Sequence, residues 1–395
     1  MVSGDIRGLE YTTTNMNTTL STTLSSTNLF SIINQKQEKP IDKKMLDLYA
    51  DYLLSSFSYT TATGLSNMLD HQLSHDKVTR FLSEREYSSK DLWILVKPVV
   101  HEIENDNGVI IFDDTVEEKM YTDENDIVAW HFDHTTGRSV KGINILSCVY
   151  QVKETTIPLA FEIIKKTISF LDPKTGKTKR RSEETKNQIF RDMFEKVLKN
   201  KVKFSYVLAD SWFASNENMK FVAKKNKHFI FAIKDNRLVA LSKKEKLEGN
   251  FKRLDSLLFE ENAVAACFFK GLELPVLVSK QIFTNEDENT GVLYLVTNDL
   301  SLDASSMSAN YKKRWKVEEY HKSIKSNTGL SKSPTKTSIT QNNHFFASIY
   351  AFFKLELLSA KTKLNHFALR SKIYVRALMA SFKELQNLQK NARVR

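Results

Sequence analysis

The sequence predicts an α/β protein: strands and helices alternate through its middle, a mainly β segment interrupts them, and helical regions flank both ends. Three observations support this. Val109-Ile110-Ile111-Phe112 and the run from Phe204 to Ala209 are compact, apolar and β-branched, as buried strands are, and both lead directly into acidic residues. Between them, Ile189, Phe190, Met193, Val197 and Leu198 recur at helical spacing over residues 182–200. Apolar runs at 264–269, 274–278 and 292–297, separated by turn residues, read as further strands.

Taken in order, residues 1–35 are dominated by Ser, Thr and Asn and read as a disordered tail, with too few large apolar groups to offset the entropy of ordering. Residues 40–105 read as helical. Within them, two short helical stretches flank a break at Asp70-His71-Gln72-Leu73, and Ser74 is placed to cap the second. That pattern suits a helix-turn-helix with Lys77 and Arg80 directed at DNA, or equally any small helical bundle. At residue 108 the pattern turns to strands. The first ends at Asp113-Asp114, and Val140–Val152 and Thr155–Ile164 follow, joined by a turn at Lys153-Glu154. His131 and His134 are expected in a solvent- or DNA-facing turn. A basic loop covers 172–181, then come the helix, the strand ending before Asp210, a helix over 216–225 and a strand over 229–233. Residues 236–305 form the β-rich insertion, with an acidic tip at 286–288. Residues 306–362 return to the interrupted unit and 363–395 form a helical end. Three meander strands, a helix, a strand tipped by Asp, a helix and a strand are the order of a ribonuclease-H-like fold, in which Asp114 and Asp210 stand on adjacent strands.

The composition is that of a folded protein, 41% hydrophobic and 27% charged over 395 residues, and the net charge of +11 favours polyanionic partners. Two distant cysteines, Cys148 and Cys267, fit buried reduced thiols and provide neither a disulfide framework nor zinc spacing. No apolar run is long enough to cross a bilayer, and the expected location is the cytoplasm, in association with the nucleoid.

The most informative stretch is Tyr311 to Lys325. On one continuous helix, Tyr311, Arg314, Glu318 and Lys325 fall within a stripe roughly 60° wide, while Val317, Tyr320 and Ile324 form the opposite, buried side. Such a stripe is either a solvated salt-bridged face or part of a site. The acids at the strand ends favour the site, because Asp114, Asp210 and Glu318 can converge only if a cation neutralises them. Asp113 remains the alternative first acid to Asp114.

These residues resemble the bacterial insertion-sequence transposases of the DDE superfamily, in the group marked by Tyr-x2-Arg-x3-Glu-x6-Lys. Tyr311, Arg314, Glu318 and Lys325 match that spacing in full, and Ile111–Thr115 and Leu208–Phe213 look like the first two acidic motifs, a likeness that favours Asp114, directly before Thr115, over Asp113 as the first acid. The resemblance implies a Mg²⁺-dependent endonuclease and strand transferase. It would bind terminal inverted repeats, cut by two-metal phosphodiester hydrolysis and join 3′-OH ends to target DNA. Asp114, Asp210 and Glu318 would hold two Mg²⁺ ions, for which Mn²⁺ substitutes, while Tyr311, Arg314, Lys322 and Lys325 grip phosphates and a homodimer brings the ends together. Members of the group often pass through a DNA hairpin with a tryptophan of the insertion stacked on a flipped base. Here the four tryptophans, Trp93, Trp130, Trp212 and Trp315, lie outside the insertion, which leaves Tyr294 as the stacking candidate and Trp212 as core packing. A catalytically inactive DNA-binding derivative and a metal-dependent nuclease without strand transfer stand as the other readings.

Overall fold

The computed structural model describes residues 39–133, 137–258, 263–284 and 290–393. The expected tail, the acidic tip at 286–288 and His134 lie outside them. Residues 41–395 form one compact unit.

Helix α1 (Lys43–Ser55) starts at Asp42, whose carboxylate accepts the Met45 N–H, and it buries Met45, Leu46, Tyr49 and Leu53. Helices α2 (Ala62–Met68) and α3 (His75–Ser83) are capped by Thr61 and Ser74. Asp70 and His71 take left-handed conformations (φ 49° and 61°) in the tight turn between them. Helix α4 (Ser89–Ile103) begins with a capping box between Ser88 and Asp91. This helical segment docks on the chain's long C-terminal helices without an intervening linker: Tyr49 Oη meets His344 Nδ1 at 3.0 Å, and the Tyr87 and Phe346 rings stack 4.8 Å apart.

The strands β1 (Val109–Glu118), β2 (Ala129–Asp133), β3 (Arg138–Val152) and β4 (Thr155–Ile163) come next. β1 runs well beyond its apolar stretch, because β3 continues to pair with it as far as Glu118↔Gly142. Asp113 and Asp114 therefore lie in mid-strand and not at a strand end. β2 is an addition to the expected meander. It pairs with the first part of β3 and buries His131, whose pKa burial pushes down to about 3, so this histidine sits in the sheet and not in a turn. A small hairpin, β5 (Ile168–Leu171) and β6 (Thr178–Arg181), replaces the expected basic loop. Helix α5 (Lys186–Lys199), strand β7 (Tyr206–Ala209), helix α6 (Asn216–Lys224) and strand β8 (His228–Ile233) follow as expected.

The insertion comprises β9 (Leu238–Ala240), α7 (Lys243–Glu248), β10 (Lys252–Arg253), β11 (Val264–Phe269), β12 (Val276–Thr284) and β13 (Thr290–Thr297). Its strands extend the central sheet. β13 pairs antiparallel with β8 from Tyr294↔Ile233 to Thr297↔Ile230, so the edge of β8 is covered by backbone hydrogen bonds. Among the described residues the sheet has eleven strands in the order β10-β9-β11-β12-β13-β8-β7-β1-β3-β2, with β4 also on β3, and within it only the β1–β7 and β7–β8 pairs are parallel.

The chain closes with α8 (Ala304–Lys312), α9 (Trp315–Asn327), α10 (Ser338–Thr362) and α11 (His366–Arg393). The apolar α10 is the central beam, fully enclosed over most of its length. Among the described residues, no helix is long and apolar enough to cross a membrane. Both cysteines are buried and free.

Candidate active site

Register and strand alternation decide where the acids point. β1 and β7 pair in parallel up to Phe112↔Ala209, so Asp113 and Asp210 are the next residues on neighbouring strands. Phe112 packs beneath the sheet on Phe190 of α5, at 4.4 Å between ring centroids, and alternation turns Asp113 to the opposite face and returns Asp114 to the α5 face. The contacts agree. Asp113 Oδ2 lies 3.8 Å from an Arg314 guanidinium nitrogen and 4.0 Å from His321 Nδ1, both contributed from the α9 side. Asp114 instead accepts hydrogen bonds from Lys186 Nζ and from Asn144 Nδ2, each at 2.7 Å. The preferred first acid, Asp114, is thus directed to the α5 side, whereas Asp113 shares a face with Asp210 and α9.

The carboxyl groups lie in an electrostatically crowded place. Burial, and then the charge of Asp210, push Asp113 up to about 8, against the pull of Arg314. Asp210 is raised by burial and by Asp114, while the Trp212 N–H that its carboxylate accepts (3.0 Å) works the other way. His321 is pushed down to about 3 by burial and by Lys325 and Arg314, so it is neutral, and its Nε2 is buried without a partner.

Glu318 comes from α9, and the expected single helix is divided before it. Arg314 N–H bonds to Tyr311 O and Val317 N–H to Arg314 O, which are i to i−3 contacts that tighten the backbone between α8 and α9. The extra winding takes Tyr311 off the stripe. It is buried with the Arg314 guanidinium carbon 5.6 Å from its ring centroid, and burial and the charges of Asp210 and Asp113 raise its pKa against the pull of Arg314, but it does not line the cavity. Arg314, Glu318 and Lys325 do, together with His321. Arg314 donates to Glu318 Oε1 at 2.6 Å and Lys325 Nζ donates to Val116 O at 2.7 Å. On the far side Val317, Tyr320 and Ile324 are buried as the pattern requires. A further anchor comes from Ser323, whose Oγ lies 2.8 Å from His366 Nδ1, with His366 Nε2 2.7 Å from Glu356 Oε2 and Glu356 Oε1 accepting the Thr156 N–H at 2.7 Å. This chain of contacts ties α9 to α11, α10 and β4.

The result is one cavity of about 660 Å³, lined by the acids Asp113, Asp114, Asp133, Asp210 and Glu318, the cations Lys186, Lys234, Arg314 and Lys325, and the ring of Trp212. Trp212, expected in the core, is 46% exposed, with Lys186 Nζ 5.6 Å from its ring. Tyr294 is buried on β13 and does not reach the cavity. Lys322 is exposed on another face of α9, against the Phe367 ring, and Lys77 and Arg80 are exposed on α3, away from the site. Lys186, Asn144, His321 and Lys234 carry no sequence signal strong enough to single them out. For Lys186 the one hint is its position after the basic segment, since contacts between α5 and β1 are set only by the tertiary fold.

The donor set consists of carboxylate oxygens and a neutral imidazole with no thiolate, which suits a hard divalent cation such as Mg²⁺ or Mn²⁺. Among the described residues no three His, Cys, Asp or Glu side chains converge closely enough to hold an ion. The reason is visible in the pairings: Glu318 is held by Arg314 and Asp114 by Lys186, so protein cations screen the acids. The residue types suit a divalent ion, but as placed the carboxylates do not surround one.

A family profile described as "DDE superfamily endonuclease" matches residues 29–248. The chain belongs to the DDE superfamily of endonucleases. A second profile, "Transposase DDE domain", matches residues 180–353, which spans Asp210 and the whole of α9. Among solved structures, this DDE protein is similar to one titled "Drosophila P element transposase strand transfer complex", at 12% identity and a TM-score of 0.25, over 51% of this chain and 40% of that one. The chain therefore spans less than half the length of that protein. A comparison with curated proteins finds no match.

Proposed function

We propose that this DDE endonuclease is the transposase of a bacterial insertion sequence, of the Tyr-x2-Arg-x3-Glu-x6-Lys group, acting on the inverted repeats at the ends of its element. The observation that carries the reading is that Asp113, Asp210 and Glu318, from β1, the end of β7 and α9, line one cavity with Lys186, Arg314 and Lys325. The order of β1, β3, β4, α5, β7, α6 and β8 supports a ribonuclease-H-like catalytic unit, interrupted by the insertion.

In this reading Asp113, Asp210 and Glu318 hold two Mg²⁺ ions, and Asp114 orients Lys186. When bound, the ions would supply the Lewis acidity that activates an attacking oxygen and stabilises the leaving one at a phosphodiester. Arg314, released from Glu318, and Lys186 and Lys325 bind the phosphates on either side of the cleaved bond. His321 stays neutral and packs behind Asp113. Trp212, exposed beside the site, takes the stacking role considered for Tyr294. Lys77 and Arg80 on α3 contact the end repeat, with Lys322 at a flank of the duplex. A homodimer holds the two ends in synapsis, and the 3′-OH ends freed by cleavage are joined to target DNA. The protein works in the cytoplasm on nucleoid DNA.

Labelled element-end duplex incubated with purified protein and Mg²⁺ tests this. Strand cleavage at the element boundary, dependent on the metal, is the expected result. A second reading, a DNA-binding derivative without catalysis, is favoured by the protein cations that occupy Glu318 and Asp114. End-specific binding with no cleavage in Mg²⁺ or Mn²⁺ would select it.

A further inference from the structure

We infer that the β5–β6 hairpin is a rigid ribbon that docks on the phosphate backbone of duplex DNA beside the active site. This rests on the reading of the chain as a DNA-processing enzyme, and it assigns the task to a surface outside the catalytic cavity. From Lys165 to Arg181 the chain places seven cations, Lys165, Lys166, Lys174, Lys177, Lys179, Arg180 and Arg181, against the single acid Asp172. A mobile basic loop would lose much of its binding energy in being ordered, but this segment is ordered beforehand. Its strands pair from Ile168↔Arg181 to Leu171↔Thr178. Its turn is built on Asp172, whose backbone N–H bonds to Lys177 O and whose carboxylate accepts from Lys174 N and Thr175 Oγ1 and pairs with Lys179, and Gly176 supplies the left-handed residue (φ 64°).

The two faces of the ribbon differ. Arg180 donates to Asn125 O at 2.9 Å, which fastens its face to the protein. Cross-strand partners share a face, so Lys179 and Arg181 lie with Phe170 on the other, where the Arg181 guanidinium carbon is 5.8 Å from the Phe170 ring centroid. Residues two apart on a strand are separated by about 6.8 Å. That matches two phosphate steps measured along the DNA helix axis, about 3.4 Å each for one strand. At the base, Lys166 Nζ donates to Trp130 O at 2.5 Å, and the chain then enters α5, whose first residue is Lys186 in the cavity. Burial, and then the charge of Lys186, lower the Lys166 pKa, so the base of the hairpin adjoins the cavity, although Glu183 and Glu184 separate Arg181 from Lys186 along the chain. Two properties of the partner follow from the ribbon: polyanionic and regularly spaced. Duplex DNA has both, and an acidic protein surface lacks the spacing.

The test is the salt dependence of duplex binding by the full-length protein, read by fluorescence anisotropy in Ca²⁺ so that no strand is cut. The variant Lys174→Gln, Lys177→Gln, Arg181→Gln keeps Lys179, Arg180 and Asp172, and so keeps the turn and the anchor. It should lower the slope of log K against log salt by about 2 to 3 and weaken binding about 10- to 100-fold at 0.1 M salt, since each phosphate no longer neutralised removes roughly 0.9 from the slope. The control Lys199→Gln, Lys201→Gln, Lys203→Gln removes the same charge at the opposite end of the strands and should leave both unchanged. A hairpin variant with an unaltered melting temperature and the wild-type slope, or an equal loss in the control, would overturn the assignment, and if wild type still cleaves end DNA the transposase reading survives that result. Absence of duplex binding by the wild type overturns both.

Discussion

Asp113→Asn, Asp210→Asn and Glu318→Gln should each reduce Mg²⁺-dependent cleavage of element-end DNA by about 10³-fold or more, the scale expected when one ligand of a two-metal site loses its charge. Duplex binding should persist in all three, because the phosphate-gripping cations are untouched. Asp114→Asn should cost only about 10-fold, through the loosening of Lys186. The difference comes from strand geometry. Asp113 follows Phe112, which faces α5, so its carboxylate faces α9, whereas Asp114 is bonded to Lys186 and Asn144. Gel analysis of single-turnover reactions checks the set. Equal losses at 113 and 114 would contradict the assigned division of labour, and a loss at 114 alone would reverse it.

The largest effect on stability is expected from Asn343→Ala. Asn343 is 1% exposed on α10, where its Oδ1 accepts the Tyr87 N–H at 2.9 Å and its Nδ2 donates to Leu82 O and Arg85 O at 2.9 and 2.6 Å. The neighbouring Asn342 Nδ2 closes the loop on Tyr87 O at 2.8 Å. One side chain therefore satisfies the backbone between α3 and α4 and docks the helical segment on the central beam. Alanine would leave an N–H and two carbonyls buried without partners, costing about 3 kcal/mol. A shift of the urea midpoint of that size is the expected result, with Lys77→Gln on the exposed face of α3 unchanged within about 0.5 kcal/mol. A small shift for Asn343→Ala would mean that apolar contacts such as Tyr87 on Phe346 hold the segment on their own.

Much of this was legible in the sequence because it depends on local pattern. The apolar runs of β1 and β7, the periodicity of α5, and the buried side of α9 at Val317, Tyr320 and Ile324 are set by spacing along the chain. The spacing of Arg314, Glu318 and Lys325 also pointed to the site. What was not legible depends on pairing across the fold. The choice between Asp113 and Asp114 requires the register of β1 on β7, and the extra length of β1 comes from β3. Burial of Tyr311 follows from the tightened backbone before α9, for which the residues between Tyr311 and Trp315 give no breaker signal, with neither Gly nor Pro among them. Burial of Tyr294 follows from β13 joining the main sheet at β8, a pairing of segments far apart in the chain. Exposure of Trp212 likewise depends on where the chain leaves β7.

The central claim is that Asp113, Asp210 and Glu318 form a divalent-cation site once Glu318 leaves Arg314. Mn²⁺ binding to the full-length protein in the presence of end DNA, followed by electron paramagnetic resonance, addresses it without requiring catalysis. Wild type should bind two ions saturably, and binding should be lost or reduced to one weak site in Asp210→Asn and Glu318→Gln. Stoichiometry and affinity unchanged in both variants would contradict it.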